Sequence, residues 1–298
     1  MNHRERVLKT LRGERTDRIA RGEFFIADEF VRAFLALDAE TVIAHEHRVD
    51  LIEQLDADIA AVAFSEGWGA LTQPDEDRAI DSLARWRAES DRFVFAVIDG
   101  PFSAATKAAG FDALMKYVHS VPDVAQDYFR RGAEETRVIA QAVRDAGADG
   151  VVLGEDLAYN RSTFFSPTQL REGYFPALAQ VVHEIHALGL AAFFHSDGNL
   201  NSILPDLAAS GVDGMQGLEP TAGMSVRGVR EKIGEALTLW GNLSFELLSA
   251  EPSPQAIDAA IQTLIAASTR RLIVGTCGGL VDGMNVETVR QVYRRLGD

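Results

Sequence analysis

Along the chain, short apolar runs end in polar or turn-forming residues, and most are separated by stretches whose apolar positions recur at helical spacing. The runs at 22–26, 57–64, 92–98, 149–153, 191–199, 212–218, 236–240 and 271–275 read as eight strands. Between them the spacing predicts helices. Residues 2–12 carry an Asn2 cap, apolar Val7, Leu8 and Leu11, and a Gly13 stop. Residues 28–55 carry helical spacing, and 111–147 read as one or two long helices broken at Pro122. Ser166-Pro167 opens a helix that bends at Pro176 and stops at Gly189. Further helices are expected at 201–209, 225–232, from Ser253-Pro254 to about 267, and at 286–296.

Eight buried strands alternating with helices call for a parallel sheet with right-handed crossovers. That number suggests closure into an α/β fold of the (β/α)8 TIM-barrel type: a single domain over residues 1–298 with an N-terminal helical extension. A doubly wound open sheet is the alternative, but no GxGxxG follows the first strand to favour a dinucleotide fold.

A barrel of this kind builds its site at the C-terminal strand ends. Those ends supply Glu66, Asp99, Glu155, Asp156, His195, Asp197, Gln216, Glu219, Asn242 and Cys277. His195 and Asp197 lie two apart, so a persisting strand puts both on one face. His195 is a candidate metal ligand or general acid/base, against a hydrogen-bonded rim histidine. Asp197 is a ligand or a turn residue of Asp-Gly-Asn. Cys277 is a thiolate ligand or a small buried hydrophobe. Together His195, Asp197 and Cys277 would make a three-ligand zinc site with an open position. Glu155 and Asp156 point to opposite faces of an extended strand, so at most one reaches the mouth as a general acid. Tyr159 is a second possible donor. Trp68, Phe102, Phe164, Phe165 and Tyr174 either line a flat apolar pocket or belong to the core.

Composition changes the picture mainly by exclusion. A chain of 298 residues with 47% hydrophobic and 24% charged residues is ordinary for a globular protein, and its size suits one barrel. The net charge of −15 argues against non-specific binding to nucleic acid or an anionic membrane. The single cysteine excludes an internal disulfide and fits a reducing compartment. No apolar run approaches the roughly 18 residues of a membrane span. No apolar region follows the basic start Met1-Asn2-His3-Arg4-Glu5-Arg6, so a cytoplasmic protein without a signal peptide is expected.

Several blocks, in order, resemble the uroporphyrinogen decarboxylase superfamily, which includes the methyltransferases of corrinoid-dependent methyl transfer. They are RERVLKTLRGERTDRIARGEF, GEDLAYNRSTFFSPTQLREGYFP, HSDGNLNSILPDLAASGVDGMQGLEP, LWGNLSFELL and GTCGGLVDGMNVETVRQVY. The resemblance implies a (β/α)8 barrel with its site at the strand C-termini. The decarboxylase's arginine-rich signature for tetrapyrrole propionates is replaced here by Gly22-Glu23-Phe24-Phe25-Ile26-Ala27-Asp28-Glu29. An acidic segment there would repel such a substrate. Where the superfamily's zinc methyltransferases carry H-x-C, this chain has His195-Ser196-Asp197, with Cys277 matching their second cysteine.

The resemblance therefore points to the branch that moves methyl groups from small methylated substrates, such as aryl methyl ethers, onto a corrinoid supplied by a partner protein. His195 and Asp197, with or without zinc and Cys277, would assist the leaving oxygen, with Glu155 or Asp156 as a reserve acid. Trp68, Phe102, Tyr159, Gln216, Glu219 and Asn242 would contact the substrate. The alternatives are a decarboxylase or lyase of a small acid, and a non-catalytic corrinoid- or tetrapyrrole-binding barrel.

Overall fold

A computed structural model describes residues 1–70, 73–267 and 270–297. Eight strands are present: β1 (Ala20–Arg21), β2 (Ile59–Ala63), β3 (Phe93–Asp99), β4 (Gly150–Gly154), β5 (Ala191–Ser196), β6 (Gly214–Gly217), β7 (Thr238–Leu243) and β8 (Leu272–Thr276). Every pairing is parallel, and the order β1-β8-β7-β6-β5-β4-β3-β2 is that of a barrel opened at one seam. At that seam the Asp58 N–H donates to the Arg21 carbonyl at 2.8 Å, joining β1 to β2. The molecule is a (β/α)8 barrel with helices packed outside.

Strand alternation sorts side chains into two cores. Ile59, Phe93, Phe95, Val97, Val152, Phe193, Trp240 and Ile273 fill the interior, while Val94, Ala96, Ile98, Phe194 and Met215 pack outward under the helices. The Phe95 ring lies 5.2 Å from both Phe193 and Trp240, so stacked aromatics plug the lower barrel. Trp240 Nε1–H donates to the Gly22 carbonyl at 2.8 Å. Only a glycine fits beside that contact, because a Cβ on Gly275 would stand 2.2 Å from the same oxygen.

The N-terminal helix His3–Arg12, capped by Asn2 and ended by left-handed Gly13, closes the bottom. Its Val7 enters the interior core. Its basic residues meet aspartates that immediately precede strands. Asp58 accepts from His3 at 2.8 Å and from Arg6 at 2.5 Å, and Arg18 adds a bond at 2.6 Å. Asp149 accepts from Arg4 Nε at 2.9 Å. Asp58, Asp149 and Asp213 repeat one device: each carboxylate accepts the backbone N–H of the preceding strand, from Arg21, Val94 and Ala192 respectively.

Three expectations are corrected. Regular pairing of the first strand falls at Ala20–Arg21, not 22–26; beyond Gly22 the chain leaves the sheet and makes an isolated Ile26–Leu280 bridge past the end of β8. The 28–55 segment is two helices, Asp28–Leu35 and His45–Gln54. Ala36 turns left-handed at φ 54°, and the β-branched run Thr41-Val42-Ile43 does not resume a helix. The helix opened by Ser166-Pro167 is interrupted by a π turn at Leu170–Tyr174, just before Pro176. The helices Glu76–Glu89 and Pro101–Ala109 escaped the sequence reading, although Pro101 stands at the first helical position of the second.

Candidate active site at the barrel mouth

On β5, Phe193 points into the aromatic plug, so His195, two residues on, stands above it at the open end. Phe24 lies against the imidazole with ring centroids 4.4 Å apart. Gln216, at the matching level of β6 and fully buried, settles which nitrogen carries the proton. Its Nε2 donates to the carbonyls of Thr276 and Cys277, each at 3.0 Å. Its Oε1 must therefore face His195 Nδ1, 2.5 Å away, and can only accept. The imidazole thus carries Nδ1–H and turns Nε2 into the mouth.

Two carboxylates meet that nitrogen. Asp156 Oδ1 lies 3.5 Å from Nε2, and one ligand atom each of Asp156, His195 and Asp197 fall within 4.8 Å of one another. A lone pair set against carboxylate oxygens repels them unless a cation or a proton lies between. The donor set suits a divalent ion: one imidazole nitrogen held by an outer hydrogen bond, and two carboxylates that neutralise the charge. Asp197 is exposed at the rim, yet desolvation by the surrounding wall pushes its carboxyl above the usual range; His195 opposes the shift, and Asp156 and Glu219 add to it.

Of the residues expected here, the structure brings Asp156, His195 and Asp197 together and holds others at one remove. Cys277, expected as the third ligand, is replaced in this grouping by Asp156. Its buried Sγ lies 3.3 Å from the Leu243 carbonyl and 3.6 Å from that of Leu218. Burial, then the charges of Glu219 and Asp197, push the thiol well up. Asn242 also donates to the Leu218 carbonyl, so it and Cys277 brace the turn carrying Glu219. The Glu219 carboxylate accepts from its own turn, at Thr221 N and Oγ1.

Glu155 takes the other face of β4, away from the mouth. Fully buried, it accepts from the Ser103 N–H at 2.9 Å and the Tyr174 hydroxyl at 2.5 Å. It thereby caps the helix Pro101–Ala109, whose own N-cap, Gly100, has no side chain to do so. A Cβ on Gly100 would stand 2.4 Å from the Glu155 carboxyl carbon. Burial pushes the Glu155 carboxyl up to about 8, against the bonds from Tyr174 and Ser103.

The aromatic residues divide similarly. Trp68 reaches the site, donating from Nε1 to the Asp156 carbonyl at 3.4 Å, and stacks on Phe111 at 4.8 Å. Phe164 packs edge-on against both, and half-exposed Tyr159 lies over Phe164 at 5.9 Å. Phe102 is instead fully buried, packed against Phe129, Phe165 and Tyr174. Asp99 is taken up by Lys107 at 2.6 Å and by Ser65 at 2.6 Å, and Glu66 points to solvent. The acidic segment after Gly22 is largely neutralised: Glu23 is buried, Asp28 pairs with Arg48 and Glu29 with Arg32. What remains of the argument against a tetrapyrrole there is the missing arginines.

Sequence reasoning missed Phe24, Phe111 and Ser196. Ser196 lies between two mouth residues, and period-two alternation reads it as outward.

A barrel whose mouth gathers an oriented histidine and carboxylates at strand ends belongs to the class of α/β-barrel enzyme folds. Residues 50–296 match the family model described as uroporphyrinogen decarboxylase (URO-D), and the chain belongs to that family. Among curated proteins it is similar to the methylcobamide:CoM methyltransferase MtaA of Methanosarcina barkeri, 24% identical over 164 residues. That match spans 54% of this chain and 46% of the relative, so the chain covers about half the length of the protein it resembles. A methyltransferase structure from Methanosarcina mazei superposes with a TM-score of 0.80 at 18% identity, covering 100% of this chain and 98% of that one. A B12-independent methionine synthase from a Shewanella species gives 0.51 at 11% identity, over 73% of this chain and 64% of its own. At these identities both structures show the fold alone. No helix among the described residues is long and apolar enough to cross a membrane.

Proposed function

We propose that the protein is a methyltransferase that moves a methyl group from a small methoxylated substrate to a corrinoid carried by a separate protein. The observation that carries this reading is His195 Nε2, turned by Gln216 toward two carboxylates at the centre of an open mouth. Asp156, His195 and Asp197 would hold a divalent ion, with zinc the first candidate. Such an ion would act as a Lewis acid toward the oxygen from which the methyl group departs.

The chain's own residues do the rest. Gln216 holds the imidazole proton at Nδ1, so Nε2 is free to coordinate; in the absence of an ion, an imidazolium at Nε2 would donate to the departing oxygen. Trp68, Phe164 and Tyr159 form an aromatic wall beside Asp156 that suits a flat ring. Glu219 and Asn242 shape the opposite rim. Holding the methyl group in line with its acceptor supplies much of the rate by orientation. A cytoplasmic setting, with its reduced thiols, belongs to the same reading.

The test is a panel of methoxylated aromatics and methylamines incubated with the full chain and reduced cobalamin, with and without added zinc, following cobalamin methylation by absorbance. One donor should methylate cobalamin, and His195→Ala should reduce the rate about 100-fold or more, as loss of an acid or metal ligand does. Failure of every donor in a broad panel would remove this reading.

A further inference from the structure

Asp156 faces His195 from a left-handed backbone turn. Its φ is +44°, in a region uncommon outside glycine, though aspartate enters it more readily than most residues. Strain of this kind persists where the surroundings over-determine it, and here the surroundings are specific. On one side the Glu155 N–H donates to the His195 carbonyl at 2.9 Å, while the Glu155 side chain is pinned behind the sheet by the Tyr174 hydroxyl and the Ser103 N–H. Tyr174 ends the π turn Leu170–Tyr174; a π turn inserts an extra residue into a helix and so re-aims the side chains after it.

On the other side stands Ser196, 1% exposed, between the two mouth residues of β5. Its hydroxyl accepts the Leu157 N–H at 3.0 Å and donates to the Asp197 carbonyl at 2.7 Å. One oxygen therefore ties the residue after Asp156 to the backbone of Asp197. Residues 155 and 157 are both held by β5, and Asp156 turns left-handed between them. Its Oδ1 then accepts the Asp197 N–H at 3.3 Å and faces His195 Nε2.

We propose that Ser196 and the Glu155–Tyr174 pair are positioning residues: they hold Asp156 in its strained turn and thereby make it, and not Cys277, the third polar arm of the His195–Asp197 site. Its consequence for metal binding rests on the reading of the site as a divalent-ion centre; the positioning itself does not.

Two measurements on the full-length protein separate these. The first titrates cobalt(II) into wild type and variants, followed by visible absorption. Wild type should show ligand-field bands without a sulfur-to-cobalt charge-transfer band. Ser196→Ala and Tyr174→Phe should bind about 10–100-fold more weakly with shifted bands, the usual scale for loss of an outer-shell contact. Ser196→Thr, which keeps the hydroxyl, should restore both. Cys277→Ser should leave affinity and spectrum as they were. A charge-transfer band lost in Cys277→Ser, or unchanged binding in Ser196→Ala and Tyr174→Phe, would overturn the proposal.

The second compares ion-free crystal structures of wild type and Ser196→Ala. Asp156 should keep its left-handed backbone and its bond from the Asp197 N–H in the first and lose both in the second; an unmoved Asp156 in the variant overturns the proposal. If wild type takes up no cobalt, the divalent-ion reading falls, and the crystallographic comparison still decides the positioning.

Discussion

The least conspicuous residue of the site does the most to define it. Gln216 carries no charge and touches no solvent, yet its amide fixes which imidazole nitrogen faces the mouth. Gln216→Leu removes the acceptor at Nδ1 and frees the ring to take the other tautomer. Divalent-ion affinity measured by calorimetry should fall about 10–100-fold, the scale typical of such outer partners. Unaltered affinity would show that the ring is held by Phe24 and its strand alone. The sequence marked His195 and Asp197 because strand alternation puts i and i+2 on one face. It left Glu155 and Asp156 unresolved, since they sit where β4 ends and extended geometry gives way to a turn. Cys277 stands at a strand end as read; the contacts of its thiol with the Leu218 and Leu243 carbonyls depend on a conformation no local pattern encodes.

At the scale of elements, the segment after β1 shows a buried carboxyl serving as a clamp. Glu23 accepts from Thr276 N at 3.0 Å and from the Tyr293 hydroxyl at 2.6 Å, tying the chain after β1 to β8 and to the last helix, Val286–Arg295. Burial pushes its carboxyl up to about 7, while the bonds from Thr276 and Tyr293 pull the other way. A carboxyl raised in the folded state holds its proton more tightly there than when unfolded. Its contribution is therefore complete below the unfolded value near 4.5 and is lost as pH rises through about 7. Urea unfolding of wild type minus that of Glu23→Gln should give a difference that moves against the wild type between those limits and is flat above them. A difference independent of pH would mean that Glu23 is not protonated in the folded protein. The clamp was hidden from the sequence because the run 22–26 looks like a strand, in which Glu23 would simply alternate with apolar neighbours.

Seen whole, the barrel separates holding together from chemistry. Seven of the eight strands were legible in place because each is a short apolar run closed by turn residues, and a parallel sheet buries both faces; the first was displaced to 22–26 from Ala20–Arg21. The bottom rim was not legible as a device: Asp58, Asp149 and Asp213 each precede a strand and each bind the strand before, a relation that appears only once the sheet is formed. Asp58 is the most heavily engaged of the three. Desolvation raises its carboxyl, but the bonds from His3 and Arg18 and the charges of Arg18 and Arg6 outweigh this and hold it below the usual range. It joins the N-terminal helix, the seam between β1 and β2, and the start of β2 in one network. Asp58→Ala removes one of two counter-charges from Arg6 and Arg18, which keep Asp17 and Asp56, so the cost should stay below the roughly 3–5 kcal/mol of a fully broken buried pair. The seam is the barrel's thinnest pairing, so the loss should appear as opening there, seen as faster amide exchange at Arg21 together with a lower urea midpoint. The bottom rim and the mouth lie at opposite ends of the strands, with the aromatic plug between them. Divalent-ion affinity at the mouth should therefore remain at the wild-type level well below the melting transition. An equal loss at both ends would mean that the plug transmits disorder from the seam to His195, and that stability and chemistry are coupled through Phe193 and Trp240.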